Sequence, residues 1–284
     1  MSDVRDFELL KTSDDPPFRA GPPERSPWLW IVVAALVAAT AGAAYLVIGR
    51  TRSAPAPIVD QRRPAQQAPA RPLGAEAAPI DVPPLDQSDP LVRELVRQIT
   101  SHPRIAAWLA TDRLIRTLTV AVENVAGGAT PAARFTVLRP APGFQTVARG
   151  RDLHIDPRSY ERYDELADAA ASIDAAGAAR LYATLKPRIE EAYRDLGYPD
   201  APFDIALERA IVLLLRTPAA DGAVRLQPKG IGYAYADPAL EGLTSAQKQL
   251  LRMGPRNVRI IQGSLRQIAL ALGIPAERLP VPAS

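Results

Sequence analysis

The feature that most constrains this chain is an uncharged apolar segment, WLWIVVAALVAATAGAAYLVI, at residues 28–48. It contains no proline and, as a helix, is long enough to cross about 30 Å of hydrocarbon. Trp28 and Tyr45 lie near its ends, where amphipathic rings suit the boundary between water and lipid. Two alternatives fit the segment less well. A helix buried in a protein core is rarely apolar on every face, and a signal peptide would be followed by a cleavage site of small residues, whereas Arg50 and Arg52 follow here. We therefore predict one transmembrane helix.

The sequence leaves the orientation of this helix open. Two arginines precede it closely and four follow it, a count that slightly favours a cytoplasmic C-terminal side. Long domains are nevertheless translocated largely regardless of charge, and the proline-rich stretch that follows is typical of spacers in envelope proteins. We expect a single-pass inner-membrane protein whose C-terminal domain lies in the periplasm.

The segments on either side of the apolar stretch are predicted to be disordered. Residues 1–27 form a polar tail, for which a docking segment is the alternative, and residues 49–87 form a Pro/Ala-rich linker with almost no aromatic or periodic apolar content. As extended polyproline at about 3.1 Å per residue, the linker could reach roughly 100 Å.

Residues 88–284 are predicted to form one compact, mainly helical α+β domain with short β-hairpins. Ser88 is a capping residue ahead of a helical pattern, and later helices follow from capping residues and apolar stripes. Two predicted helices begin near Pro103 and Thr111, and β-branched residues around Val120 leave a strand as the alternative in the second of them. A further helix begins at Asp174, with a kink or restart at Pro187. The remaining predicted helices span 156–171, 203–216, 245–253 and 256–272. Predicted strands lie at 134–140 and in two hairpins at 144–156 and 224–236.

Composition excludes several classes of function. The chain has no cysteine and two histidines, which excludes thiol chemistry and makes a multi-histidine metal centre unexpected. Its net charge of +3 is spread among interspersed signs, without the concentrated positive field of a nucleic-acid-binding protein. We expect no cofactor, no metal and no nucleic-acid partner.

A serine and a lysine one helical turn apart, Ser245 and Lys248, match the arrangement in penicillin-binding enzymes. That chemistry also needs a Ser-x-Asn motif and a Lys-Thr-Gly strand, and PKG at 228–230 lacks the hydroxyl. Thr244 and Gln247 instead form a T-x-x-Q capping box. We therefore interpret Ser245 as the start of a helix.

The motif MGPRN at residues 253–257 is the better candidate for a binding site. A glycine that ends one helix and a proline that begins the next would expose free N–H groups beside Arg252, Arg256 and Asn257, and such a terminus can receive a carboxylate or phosphate. The alternative is a structural corner in which an arginine pairs with an internal acid, such as Asp237 or Glu241.

Tyrosines and acids at helical spacing form a second candidate group, from which Tyr163 and Asp164 are the binding candidates. Tyrosines at such spacing usually pack their rings and hydrogen-bond their hydroxyls, although paired carboxylates across a cleft could act as in a glycosidase. The group comprises Tyr160, Tyr163, Asp164, Tyr182, Glu190, Tyr193, Asp195 and Tyr198.

Four stretches carry a resemblance to a known family. They are SYERYDEL (159–166), EAYRDLGYPDAPFD (191–204), YADPALEGL (235–243) and AQKQLLRMGPRN (246–257). Over about residues 90–272 the chain resembles the bacterial family known as domain of unknown function 3014. The resemblance implies a single-pass envelope protein with a proline-rich spacer, and it implies no activity.

These observations favour a membrane-anchored, non-enzymatic domain that binds a partner or acts as a scaffold, with an envelope protein or an anionic cell-wall component as the partner. The alternative is a periplasmic cell-wall hydrolase or transferase. A cleft on which catalytic side chains converge would favour the enzyme.

Overall fold

The computed structural model describes residues 72–75, 80–140, 143–230 and 232–281. The predicted tail at 1–27, the predicted membrane helix at 28–48 and most of the predicted linker lie outside the described residues. Within the described part of the chain, none of the helices combines the length and the apolar character that a membrane crossing requires.

The described chain is mainly helical with a small antiparallel sheet, which confirms the predicted α+β class. The helices are α1 (Asp89–Arg97), α2 (Pro103–Leu109), α3 (Leu114–Ala126), α4 (Arg158–Glu161), α5 (Asp164–Ala171), α6 (Ala175–Asp195), α7 (Phe203–Leu215), α8 (Pro238–Glu241), α9 (Ser245–Leu251) and α10 (Pro255–Ala271). The strands are β1 (Thr146–Arg149), β2 (Asp152–Ile155), β3 (Arg225–Lys229) and β4 (Gly232–Tyr235). The predicted bounds of α7, α9 and α10 agree with these within two residues.

The main core lies among α3, α6, α7 and α10, where Leu114, Ile189 and Phe203 are almost completely buried. Asp174 begins α6 as predicted, since its carboxylate accepts a hydrogen bond from the Gly177 N–H at 2.7 Å. The helix is not interrupted at Pro187, contrary to prediction. Proline removes one backbone hydrogen bond, but buried residues on either side hold both halves of α6 against the core.

Residues before Ser88 also pack against this core. Val82 and Leu85 are buried in it, and the Arg188 side chain donates hydrogen bonds to the carbonyls of Val82 (2.8 Å) and Pro83 (2.8 Å). The Gly74 N–H bonds to the Leu272 carbonyl at 3.0 Å. The ordered domain therefore extends N-terminal of the boundary expected at Ser88, through a segment whose partners are distant in sequence.

The start of α3 differs from the prediction. Thr111 does not cap it; the Thr111 hydroxyl donates to the Trp108 carbonyl at 2.7 Å. Instead, the Asp89 carboxylate of α1 accepts hydrogen bonds from the N–H groups of Arg113 (2.7 Å) and Leu114 (2.9 Å). A cap supplied from another helix leaves no local sequence signal.

The region around Val120 is helical, within α3, which confirms the predicted helix over the alternative strand. One further prediction is corrected, since residues 134–140 form no strand. The chain there makes two short 3₁₀ turns, Ala132–Arg134 and Thr136–Leu138, whose local hydrogen bonds satisfy the backbone without a partner strand.

The predicted helix at 156–171 is divided. The Asp156 side chain caps its beginning by accepting from the Arg158 N–H at 2.9 Å, but α4 ends after Glu161 and α5 begins at Asp164. Tyr163, between them, has φ −103° and ψ 0° and is buried.

The two predicted hairpins form and join into one sheet in the order β1-β2-β3-β4. The hairpins meet where Leu153 pairs with Leu226 and where the Ile155 N–H bonds to the Val224 carbonyl at 3.1 Å. Beneath this sheet lies a second, smaller core that contains Leu226 and Leu251. The sheet therefore packs against the end of α9.

Candidate functional site

A cavity of about 240 Å³ opens beside this second core. It is formed by strands β2, β3 and β4 together with Arg162 and Arg252, the residues at which α4 and α9 end. Its lining residues are Phe144, Ile155, Arg162, Leu226, Gly232, Tyr233, Tyr235 and Arg252.

Aromatic residues from opposite ends of the strand order meet at the cavity. Phe144 precedes β1 and Tyr233 lies in β4, yet their ring centroids are only 5.9 Å apart. In a flat four-stranded sheet the outer strands would lie about 14 Å apart. Leu226 and Tyr235 are paired across β3 and β4, so their side chains share the face that bounds the cavity. The result is an apolar floor beneath an aromatic wall.

Arg162 lies over two aromatic rings. Its guanidinium carbon is 4.8 Å from the centroid of Tyr163 and 5.7 Å from that of Phe144. Its Nε donates a hydrogen bond to the Ser159 carbonyl at 2.8 Å. A cation over an aromatic face is attracted by the negative charge of the ring face, so these contacts help to position Arg162.

Arg252 and Tyr235 form the other polar part of the wall. Arg252 is exposed and forms no salt bridge with any described residue. Tyr235 is only 4% exposed, and its hydroxyl lies beside the Arg252 side chain without a hydrogen bond of good geometry in the described chain. Burial raises the pKa of Tyr235, and the positive charge of Arg252 and its contact with the phenol oppose that rise.

The carboxylate that contacts Tyr235 is already neutralised. Glu241 accepts from the Tyr235 N–H at 3.2 Å and pairs with Lys229 at 3.1 Å and with Lys248 at 3.6 Å. The hydrogen bond from Lys229 is the largest cause that lowers the pKa of Glu241. The described lining of the cavity therefore contains two arginines and no carboxylate.

The same contacts determine the role of Ser245 and Lys248. The Lys248 ammonium donates to the Glu241 carbonyl at 2.9 Å, so it is directed toward α8. Thr244 and Gln247 form the predicted capping box, and Ser245 is the first residue of α9. The structure thus confirms that Ser245 lies at the start of a helix.

The predicted MGPRN site folds as an internal corner. Asn257 is buried, and its Nδ2 donates to the Asp164 carboxylate (2.8 Å), the Tyr160 carbonyl (3.1 Å) and the Met253 carbonyl (2.9 Å). Arg256 lies 3.3 Å from the Asp164 carboxylate, so the internal acid is Asp164, not Asp237 or Glu241 as expected.

Gly254 permits this corner. Its φ is +85° and its ψ 161°, a conformation that is essentially confined to glycine. A Cβ at this position would lie 2.5 Å from Cγ of Tyr160. The backbone of the motif is therefore pressed against the tyrosine ring, and the motif positions α9 and α10 against α4.

Of the five predicted binding residues, only Arg252 lines the cavity. The Tyr163 ring contacts Arg162, whereas Arg256, Asn257 and Asp164 bind one another. The other tyrosines do not converge on the cavity: Tyr182 and Tyr193, for example, lie in the main core and donate to Asp204 (2.5 Å) and Glu123 (2.9 Å).

Sequence reasoning missed most of the cavity. The alternation GYAY at 232–235 places Tyr233 and Tyr235 on one strand face, which is a signal for an aromatic wall. Phe144 and Arg162 belong to different elements, and no local pattern brings them together. Within the described residues, no cluster of three or more His, Cys, Asp or Glu side chains is placed to hold a metal ion.

One family model matches the chain, over residues 114–269, and its description is "Protein of unknown function (DUF3014)". The match covers more than half of the 284 residues and includes every residue that lines the cavity. No curated protein and no solved structure matches the chain.

Proposed function

The chain belongs to the protein family of unknown function DUF3014, and we propose that it is a non-enzymatic binding protein of the cell envelope whose cavity receives an anionic group of a partner. The observation that carries this proposal is Arg252. It borders an apolar cavity, has no salt bridge within the described chain and lies beside the buried phenol of Tyr235. An anion would supply the counter-charge that Arg252 lacks among the described residues.

The chemistry of the lining favours binding over catalysis. The described lining residues are aromatic, aliphatic, glycine or arginine, and they include no carboxylate, serine or histidine to transfer a proton or attack a bond. Lys248, the lysine of the suspected catalytic pair, is held by Glu241. No observation supports the hydrolase or transferase alternative.

The proposed location follows from the sequence. The apolar segment at 28–48 would anchor the protein in the inner membrane, and the proline-rich stretch after it would hold the domain away from the bilayer, on the periplasmic side. The proposed partner is an envelope protein or an anionic cell-wall component.

The test is photo-crosslinking in cells with the full chain. A photoreactive phenylalanine replaces Tyr233, which is 46% exposed at the rim of the cavity, or Ile205, which is 53% exposed on α7 and does not line it. We expect a discrete adduct from position 233 that position 205 does not give, and Arg252→Gln should reduce that adduct at least tenfold. Equal capture from both positions, or no adduct at 233, would contradict the proposal.

A further inference from the structure

We propose that Asn257 is the positioning residue of the cavity, because its side-chain amide fixes the segment that carries Arg252 against the segment that carries Arg162. This inference rests on the proposed function and concerns how the binding site keeps its shape. It gives Asn257, which is not one of the lining residues, a role in partner binding.

The two arginines of the cavity belong to segments that are distant in sequence. Arg162 lies at the end of α4 and Arg252 at the end of α9. Helices of four and seven residues are marginal on their own, so the positions of their ends depend on tertiary contacts. We call residues 160–164 the Arg162 segment and residues 252–253 the Arg252 segment.

The amide of Asn257 contacts both segments. Its Nδ2 lies 3.1 Å from the Tyr160 carbonyl and 2.8 Å from the Asp164 carboxylate, which are the first and last residues of the Arg162 segment. The same nitrogen lies 2.9 Å from the carbonyl of Met253, in the Arg252 segment. The two hydrogens of one amide group are therefore shared between the segments that carry the two arginines.

The surroundings of Asn257 determine which way this amide faces. Its Oδ1 accepts from Nη1 of Arg256 at 2.9 Å, whereas its Nδ2 faces two carbonyls and a carboxylate. Asn257 is only 1% exposed, and a buried hydrogen bond to a charged acceptor is stronger than one in water. Arg256 also lies 3.3 Å from the Asp164 carboxylate, but its side chain is 60% exposed, so water screens that ion pair. The amide is therefore the buried part of the connection.

Partner binding depends on this connection through the position of Arg252. That side chain is exposed and extends from the Arg252 segment, so a shift of the segment moves its charge relative to the cavity. Binding groups must be held within about 0.5 Å of their productive geometry by the contacts that support them. At metal sites, loss of comparable supporting contacts lowers affinity about tenfold to a hundredfold.

The first measurement is the distance between two spin labels by electron paramagnetic resonance, in the full chain in a non-ionic detergent. The chain has no cysteine, so Glu161→Cys, at the end of α4, and Gln249→Cys, in α9, direct the labels to these positions alone. We expect Asn257→Ala to shift or widen the distance distribution. Asp164→Asn, which keeps the side-chain size and weakens one hydrogen bond, should do so to a smaller extent. Val92→Ala, in the main core, should leave the distribution unchanged.

The second measurement is the yield of the Tyr233 crosslink in cells, corrected for the folded fraction of each variant. Asn257→Ala should lower this corrected yield at least tenfold. Arg256→Gln is the matched control: it removes the exposed ion pairs and the bond to Oδ1 but leaves the Nδ2 contacts in place, so its corrected yield should not change. A purely structural role for Asn257 would lower its melting temperature without lowering the corrected yield.

An unchanged label distance in Asn257→Ala, or a corrected yield equal to that of Val92→Ala, would overturn the inference. Asp164→Asn decides the same outcomes if Asn257→Ala does not fold. If Arg252→Gln still abolishes the crosslink when the inference fails, the proposed binding function stands and only the role of Asn257 is wrong. If Arg252→Gln leaves the crosslink unchanged, the proposed function is wrong, and the label distance alone decides whether Asn257 positions the two segments.

Discussion

Gly254→Ala tests the corner that connects α9 to α10. Alanine at φ +85° and ψ 161° costs about 1–3 kcal/mol in backbone strain. Its Cβ would also lie 2.5 Å from Cγ and 2.7 Å from Cβ of Tyr160, and overpacking of this kind costs about 1–3 kcal/mol. After partial relaxation we expect a loss of about 2–5 kcal/mol in the free energy of unfolding, which corresponds to a fall of roughly 4–20 °C in melting temperature.

The assay is thermal and urea unfolding followed by far-ultraviolet circular dichroism, with Gly273→Ala as the control. Gly273 also has a positive φ, +89°, but no atom lies within 4 Å of an added Cβ, so its substitution tests strain without the contact and should cost about 1–2 kcal/mol. Equal losses for the two variants, or no loss at Gly254, would refute the argument that Tyr160 is packed against the corner.

Three further predictions concern other parts of the domain. Thr244→Ala should lower the free energy of unfolding by about 0.5–2 kcal/mol because it removes the cap of α9, whereas Ser245→Ala should change it by less than about 0.5 kcal/mol. Covalent labelling of Ser245 by a β-lactam would contradict the interpretation of this serine as only a helix start. A chain that begins at residue 72 should melt at a higher temperature than one that begins at Ser88. Burial of Val82 and Leu85 contributes up to about 3–6 kcal/mol to the free energy of unfolding, and equal melting temperatures would place these residues outside the core. The hydrogen bond from Arg158 holds the pKa of Asp156 below its ordinary value of 3.8. The ion pair therefore contributes to stability at neutral pH, and this contribution is lost as pH falls from about 3.8 through the folded-state pKa. Asp156→Asn should reduce the pH dependence of the free energy of unfolding in that range, and an Asp156 pKa at or above 3.8 by NMR titration would exclude the effect.

The sequence predicts those parts of the fold whose chemistry is local. The T-x-x-Q box at Thr244 and the Asp174 cap lie within one turn of the helices that they begin, so their residue types and spacing are sufficient. The hairpins at 146–155 and 225–235 likewise follow from alternation around Gly150 and Gly230.

Parts that depend on distant partners could not be predicted. Asp89 caps α3 from a different helix, and Asn257 finds the carboxylate of Asp164 more than ninety residues away. The cavity is assembled from four separate segments, so its tyrosines were detectable as a strand face but not as neighbours of Arg162. Arg252 and Arg256 lie four residues apart around one glycine-proline corner, and only the tertiary structure shows which of them lines the cavity.

That pair provides the most direct measurement. Arg252→Gln and Arg256→Gln are compared in the full chain for melting temperature and for yield of the Tyr233 crosslink in cells. The account predicts that Arg252→Gln lowers the yield at least tenfold with little change in melting temperature, since Arg252 forms no described salt bridge. Arg256→Gln should lower the melting temperature, because it removes contacts to Asp164 and Asp168, and should lower the yield only in proportion to the unfolded fraction. The reverse pattern, with crosslinking lost in a fully stable Arg256→Gln and retained in Arg252→Gln, would move the binding site to the MGPRN corner and contradict the account.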